Sequence, residues 1–195
     1  IEEARRQGAD LAVFSELAVT GYPPLDLLLR SDIIDSSMAA IREIATHCNG
    51  IAAIVGGPSP NTGEYGKSLH NSAFFLHEGK IKSVVNKALL PTYDIFDEDR
   101  YFKAGNTFRP VELNGQKIAV TICEDIWDEQ PFGDRGLWRL YSVSPLDEVM
   151  KEHPSLIINI AANPFSHNRI KVREEVFARN AKEFGVPLIS VNQAG

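Results

Sequence analysis

Apolar residues in this chain gather into short runs, and the period inside the runs alternates along the sequence. "ADLAVFSE" (9–16) is an apolar run closed by Glu16 and reads as a strand. "IAAIVGG" (51–57) has almost no polar relief, which predicts a strand covered on both faces. "HNSAFFL" (70–76) and "IKSVVNK" (81–87) flank "HEGK", a strand–turn–strand pattern with Gly79 supplying the turn. "FRPVEL" (108–113), Asn114-Gly115 and "KIAVTICE" (117–124) repeat it. "LIINIAA" (156–162) and "VPLISVN" (186–192) complete the strands. Helical spacing intervenes. "IEEARRQG" stops at Gly8, and "DSSMAAIREIATHC" (35–48) puts Met38, Ile41, Ile44, Ala45 and Cys48 on one stripe. "SPLDEVMKE" (144–152) starts with Ser144 as cap and Pro145 at the first position. "IKVREEVFARNAKEFG" (170–185) ends at Gly185. Gly21, Pro23 and Pro24 exclude a regular helix over 17–29 and leave a loop with a helical turn near 25–30. Hairpins interleaved with crossover helices predict an α/β domain with a mixed sheet, unlike a plain doubly wound sheet.

Composition narrows the function classes. A length of 195 residues with 44% hydrophobic content suits one domain with one core. The net charge of -6 argues against nucleic acid as a partner, since a phosphate backbone selects basic surfaces. No 18-residue apolar stretch is present, so no membrane span is expected. Two cysteines without a CxxC pair point to a reducing, cytoplasmic setting. No phosphate-cradling glycine motif occurs, and the five histidines lack metal-ligand spacing, so no metal is expected. The chain opens inside a helix without an initiator methionine and closes just after a strand, as an excerpt of a longer protein would.

Three chemically distinct residues close apolar runs. Cys48 lies on a helix stripe and reads as a small hydrophobe. Cys123 ends a strand whose alternation sets Ile118, Val120 and Ile122 on one face and Ala119, Thr121 and Cys123 on the other, and two acids follow it. A thiol becomes a nucleophile only when a base or cation favours its thiolate. Glu16 and Lys87 end the other two runs. A carboxylate can take the thiol proton, and an ammonium can hold an oxyanion formed by attack on a carbonyl carbon. Charges closing strands without chemical purpose are also common.

The blocks "AVFSELAVTGYPP", "NKALLPTYDIFDEDRYF" and "IAVTICEDIWDE" resemble the nitrilase, or carbon–nitrogen hydrolase, superfamily. With "NPFSHNR" they are most similar to its branch of glutaminase domains from glutamine-dependent NAD synthetases, over essentially the whole chain and in order. The resemblance implies a four-layer α-β-β-α sandwich and a Glu–Lys–Cys triad. Glu16 would be general base, Lys87 the stabiliser of the tetrahedral intermediate and Cys123 the nucleophile. Glu98 would be an additional structural and acid–base glutamate, and the Glu124 backbone N–H would join Lys87 in the oxyanion hole. Tyr22, Tyr93, Asn163 and Arg169 would meet the substrate, with Asn163 standing where the branch usually has a small polar residue. Each of these four has an ordinary structural reading too: ring packing for the tyrosines, a turn for Asn163-Pro164, a surface charge for Arg169.

The same resemblance implies L-glutamine as substrate, and residues 1–195 as a partial hydrolase domain lacking its first strand and C-terminal portion. It implies no cofactor here. ATP, Mg2+ and deamido-NAD would serve a synthetase domain beyond residue 195, the acceptor of the ammonia, within a homo-oligomer. A free-standing amidase acting on an ω-amide, nitrile or carbamoyl compound, and a binding protein on the same scaffold, are the alternatives.

Overall fold

A computed structural model describes residues 1–131, 137–164 and 169–194. Two four-stranded mixed sheets lie at its centre. The first runs β1 (Leu11–Val13), β2 (Ala52–Pro60), β3 (Leu69–His77), β4 (Lys80–Asn86) in spatial order, with β1 parallel to β2 and the next two pairings antiparallel. In the second, the neighbours are β10 (Leu188–Asn192), β9 (Leu156–Ala161), β6 (Gln116–Ile122) and β5 (Val111–Leu113). Its first two pairings are parallel and its last is antiparallel. The two tight hairpins, β3–β4 and β5–β6, use left-handed residue pairs in the turn, Glu78-Gly79 and Asn114-Gly115, the geometry that matches strand twist.

The apolar faces sort into layers. Ile54, Ala73 and Phe75 of the first sheet meet Ile118, Val120, Ile122 and Ile158 of the second. Helix α2 (Ser31–Thr46) covers the outer face of the first sheet through Ile41 and Ala45, which pack on Val55, Phe74 and Leu76. Helices α3 (Pro145–Met150) and α4 (Arg169–Phe184) cover the second through Leu146, Val149 and Val176 against Ala119 and Ile157. The result is the expected α-β-β-α sandwich, with a short α1 (Glu2–Arg6) at the start. Each fully buried aliphatic side chain contributes about 1.5–3 kcal/mol to it.

The structure departs from the hydrophobic pattern in four places. Helix α2 starts at Ser31, not Asp35, because Ile34 is buried with Leu28 of a 3-10 turn at Leu25–Leu29. It ends before Cys48, which still packs in the same cluster. The aromatic segment after Trp127 carries two short paired strands, β7 (Glu129–Pro131) and β8 (Leu137–Arg139). Trp127 is buried in the outer cluster beside Phe177. Finally, β1 ends three residues before Glu16, since Leu17 turns into the left-handed region and its carbonyl accepts from Thr20 and Gly21.

That exit from the sheet carries the chain over Gly56 of β2. A Cβ on Gly56 would collide with the carbonyl oxygen of Ser15 and the amide nitrogen of Leu17, both backbone atoms. Only glycine lets the segment bearing Glu16 lie flat on the strand. Gly56→Ala is expected to cost about 1–3 kcal/mol in urea unfolding, through overpacking that no rotamer change relieves. Unchanged stability would show that the segment is free to lift.

Candidate functional site

The ends of β1, β4, β6 and β9 meet at one edge of the sandwich. Lys87 follows β4 directly, and its backbone N–H extends the β3–β4 ladder by donating to Asn71 O at 2.8 Å. Gly105 approaches too closely to tolerate a side chain, and its N–H donates to Lys87 O at 2.7 Å. The lysine side chain is wholly buried, with Nζ 2.7 Å from Glu16 Oε1 and 2.7 Å from Glu98 Oε1. Glu16 is equally buried. Its Oε1 also accepts from Asn71 Nδ2 at 2.7 Å, and its Oε2 from the Ala162 N–H at 3.0 Å. Glu98 sits in a 3-10 turn, Glu98–Arg100, and takes a further bond from the Tyr22 hydroxyl at 2.8 Å. The two carboxylates hold the Lys87 ammonium charged, its pKa well above the ordinary lysine range, although burial opposes this. Burial pushes the Glu98 carboxyl up, with the charge on Glu16 adding to the effect and Lys87 opposing it.

Cys123 does not continue its strand. It takes φ +47 and opens a 3-10 turn, Cys123–Ile126. This breaks the strand alternation. Cys123 packs with Ile118, Val120 and Ile122 in the inner cluster, whereas Ala119 faces outward, so the sequence-based face assignment is corrected for the cysteine. A left-handed non-glycine residue costs about 1–3 kcal/mol. Asp125 holds the turn in place. Its Oδ1 accepts from the N–H groups of Ala88 and Leu89 at 2.9 Å each, and its Oδ2 from Ile122 N–H at 3.0 Å. One buried carboxylate therefore ties the lysine segment to the cysteine turn. Burial pushes the Asp125 carboxyl up to about 7 against the pull of those donors and of Lys87. Asn159 Nδ2 adds a bond to Cys123 O at 3.3 Å.

The thiol is buried, donates to Asn163 Oδ1 at 3.3 Å, and is held well above the usual thiol range by burial first and Glu16 second. It borders a cavity of about 260 Å³ shared with Tyr93, Glu124, Trp127, Asn163 and Arg173. Glu16 and Lys87 are fully buried and do not line this cavity. Both Glu124 oxygens accept from the Tyr93 hydroxyl at 2.9 Å, and Oε1 also from Tyr141 at 3.0 Å. Tyr22 borders an adjoining cavity of about 440 Å³, again with Asn163 and Arg173. The Asn163 backbone is clamped by Asn192, which accepts from its N–H at 2.7 Å and donates to its carbonyl at 3.2 Å. The Arg169 side chain lies outside the described residues, though its backbone begins α4. Among the described residues no group of three or more His, Cys, Asp or Glu is arranged to hold a metal, and no helix is long and apolar enough to cross a membrane.

Four site residues were not singled out from the sequence: Asn71, Asp125, Tyr141 and Arg173. Asn71 carried a signal, as a polar residue inside an apolar strand run that becomes wholly buried. Asp125 carried one as well, being the second acid after the cysteine.

Residues 1–130 match the carbon-nitrogen hydrolase family, and the chain belongs to that family. The glutamine-dependent NAD(+) synthetase of Synechocystis is 39% identical over 197 residues, covering 99% of this chain and 35% of that protein. A solved glutamine-dependent NAD+ synthetase from Acinetobacter baumannii superposes with TM-score 0.84 and 30% identity over 100% of this chain and 34% of that one. An amidase from Nesterenkonia shares the fold, with TM-score 0.75 and 21% identity over 99% of this chain and 66% of that one. The chain thus spans about a third of the length of the curated relatives it matches.

Two outcomes are expected from this geometry. Asp125→Ala removes three bonds to an ionisable group and should cost about 3 kcal/mol or more in urea unfolding. The raised Cys123 pKa means a protonated thiol at neutral pH. Its alkylation by iodoacetamide, read on the Cys123 peptide by mass spectrometry, should still be climbing at pH 9; a plateau near pH 7 would contradict the burial argument.

Proposed function

We propose that this chain is the glutamine-hydrolysing domain of a glutamine-dependent NAD synthetase, acting through Glu16, Lys87 and Cys123. The observation that carries the reading is the convergence of a buried thiol, a buried ammonium and two buried carboxylates from four separate segments. The similarity to NAD synthetases over nearly the whole chain supports the choice of substrate.

The reaction follows from the parts. The substrate amide enters the cavity at Cys123. The thiol turns from Asn163, passes its proton to Glu16, and sulfur attacks the amide carbon to form the C–S bond. The oxyanion is met by the Lys87 ammonium, which has a third N–H beyond the two given to carboxylates, and by the Glu124 backbone N–H. As the C–N bond breaks, the proton on Glu16 moves to the leaving nitrogen and ammonia departs. Water then loses a proton to Glu16 and attacks the thioester. Collapse releases glutamate and returns that proton to the sulfur. Glu98 accepts from Lys87 and from the Tyr22 hydroxyl and so keeps the lysine in place. Tyr93 holds Glu124, and Tyr22 holds Glu98. Arg169 belongs to the same reading as a substrate contact. In the full-length protein, the ammonia would pass to a synthetase domain using ATP, Mg2+ and deamido-NAD, in the reducing cytoplasm that keeps Cys123 free.

A substrate panel on the full-length protein tests this. Glutamine should be hydrolysed, and glutamine with ATP and deamido-NAD should yield NAD. Turnover of simple ω-amides but not glutamine would favour a free-standing amidase instead. Lys87→Ala should lower kcat about 100- to 1,000-fold, the usual loss for one oxyanion donor, and Cys123→Ala should abolish turnover while staying folded. Near-normal turnover by the lysine variant would remove it from the mechanism.

A further inference from the structure

Arg173 lies one turn into α4 and borders both cavities, the one containing Cys123 and the adjoining one. Its Nε is buried without a hydrogen-bond partner, and no ion pair among the described residues includes it. Arg179, further along the helix, also has an unpartnered buried Nε, but its Nη2 donates to Glu129 O at 3.0 Å and it borders neither cavity. An arginine stays charged at every accessible pH, and a half-buried guanidinium outside any ion pair gains from an anion that reaches it. The neighbouring acids of the helix, Glu174 and Glu175, are exposed, whereas Arg173 is half-buried. Across the same cavity stands the Glu124 carboxylate, fixed by two tyrosine hydroxyls. One cavity therefore presents a cation and an anion beside the thiol.

We propose that Arg173 binds the carboxylate of the amide substrate, so that the site selects amides bearing a carboxylate over those lacking one. This rests on the hydrolase reading above and names the group that reads the substrate's far end. Guanidinium and carboxylate match in a two-pronged geometry, which an ammonium does not reproduce.

The test uses the full-length enzyme and two substrates, L-glutamine and 4-aminobutanamide, which is glutamine without its carboxylate. Arg173→Gln should raise KM for glutamine at least about thirtyfold, with kcat changed far less. The ratio of kcat/KM for glutamine to that for 4-aminobutanamide should fall by a similar factor. Arg173→Lys, which keeps the charge, should fall between wild type and the glutamine variant, and serves if Arg173→Gln does not fold. A parallel loss on both substrates, leaving the ratio unmoved, would mean that Arg173 only supports the fold and overturns the proposal. If wild-type enzyme hydrolyses no glutamine, the hydrolase reading itself fails, and this inference with it.

Discussion

The Lys87 ammonium, sealed between the carboxylates of Glu16 and Glu98, is the interaction around which the rest of the domain is arranged. Moving an ammonium and a carboxylate out of water costs several kcal/mol per ion, and their mutual attraction often fails to recover it. Apolar side chains of similar volume could fill the same space without that cost. The cluster is held by supports from the surrounding strands. Lys87 continues a strand ladder, Glu16 is pressed onto a glycine, and Asn71 donates to the shared carboxylate oxygen. None of these supports is a long surface side chain that would need ordering.

Cys123 shows the same economy on the second sheet. A residue in the left-handed region at the end of β6 turns the sulfur into the space between the sheets, toward the carboxylates. Asp125 ties that turn to the segment carrying the lysine, so the thiol and the ammonium share one junction. Disturbing the junction moves both together. The geometry between them is thus better protected than the position of either relative to the cavity.

Much of this was legible in the sequence, and the limits have physical reasons. Strands fell where apolar runs with period two or full burial predicted them, since burial of one or both faces dictates that pattern. The residues closing β4 and β6 stood out because a charge or thiol there has no packing function. The face of Cys123 was misread, since alternation fails wherever φ changes sign, and no side-chain pattern announces that at a cysteine. The gap between β1 and Glu16 was hidden for a related reason: the requirement lies on Gly56, forty residues away. The "NPFSHNR" segment gave Asn163 and Arg169 through resemblance alone. Arg173, one helical turn further on, reads from sequence as one more helix charge; only its missing partner and its place in two cavities set it apart.

The charge state of the resting site bears on how attack can proceed. Burial raises both the Glu98 carboxyl and the Cys123 thiol, while the two carboxylates keep Lys87 positive. A free thiolate would add a third negative group around one ammonium in a dry space, which is the least favourable distribution available. Burial thus favours the protonated thiol in the resting site. In the proposed hydrolysis its proton would leave as the sulfur advances, with the Glu16 carboxylate of the same cluster as the acceptor. Once the negative charge has moved to the substrate oxygen, Lys87 can meet it without any carboxylate having to withdraw, because its third N–H is not committed to either. On the proposed mechanism the arrangement would stabilise charge where the tetrahedral intermediate carries it and disfavour charge on the sulfur beforehand, which is the distinction that separates catalysis from tight binding.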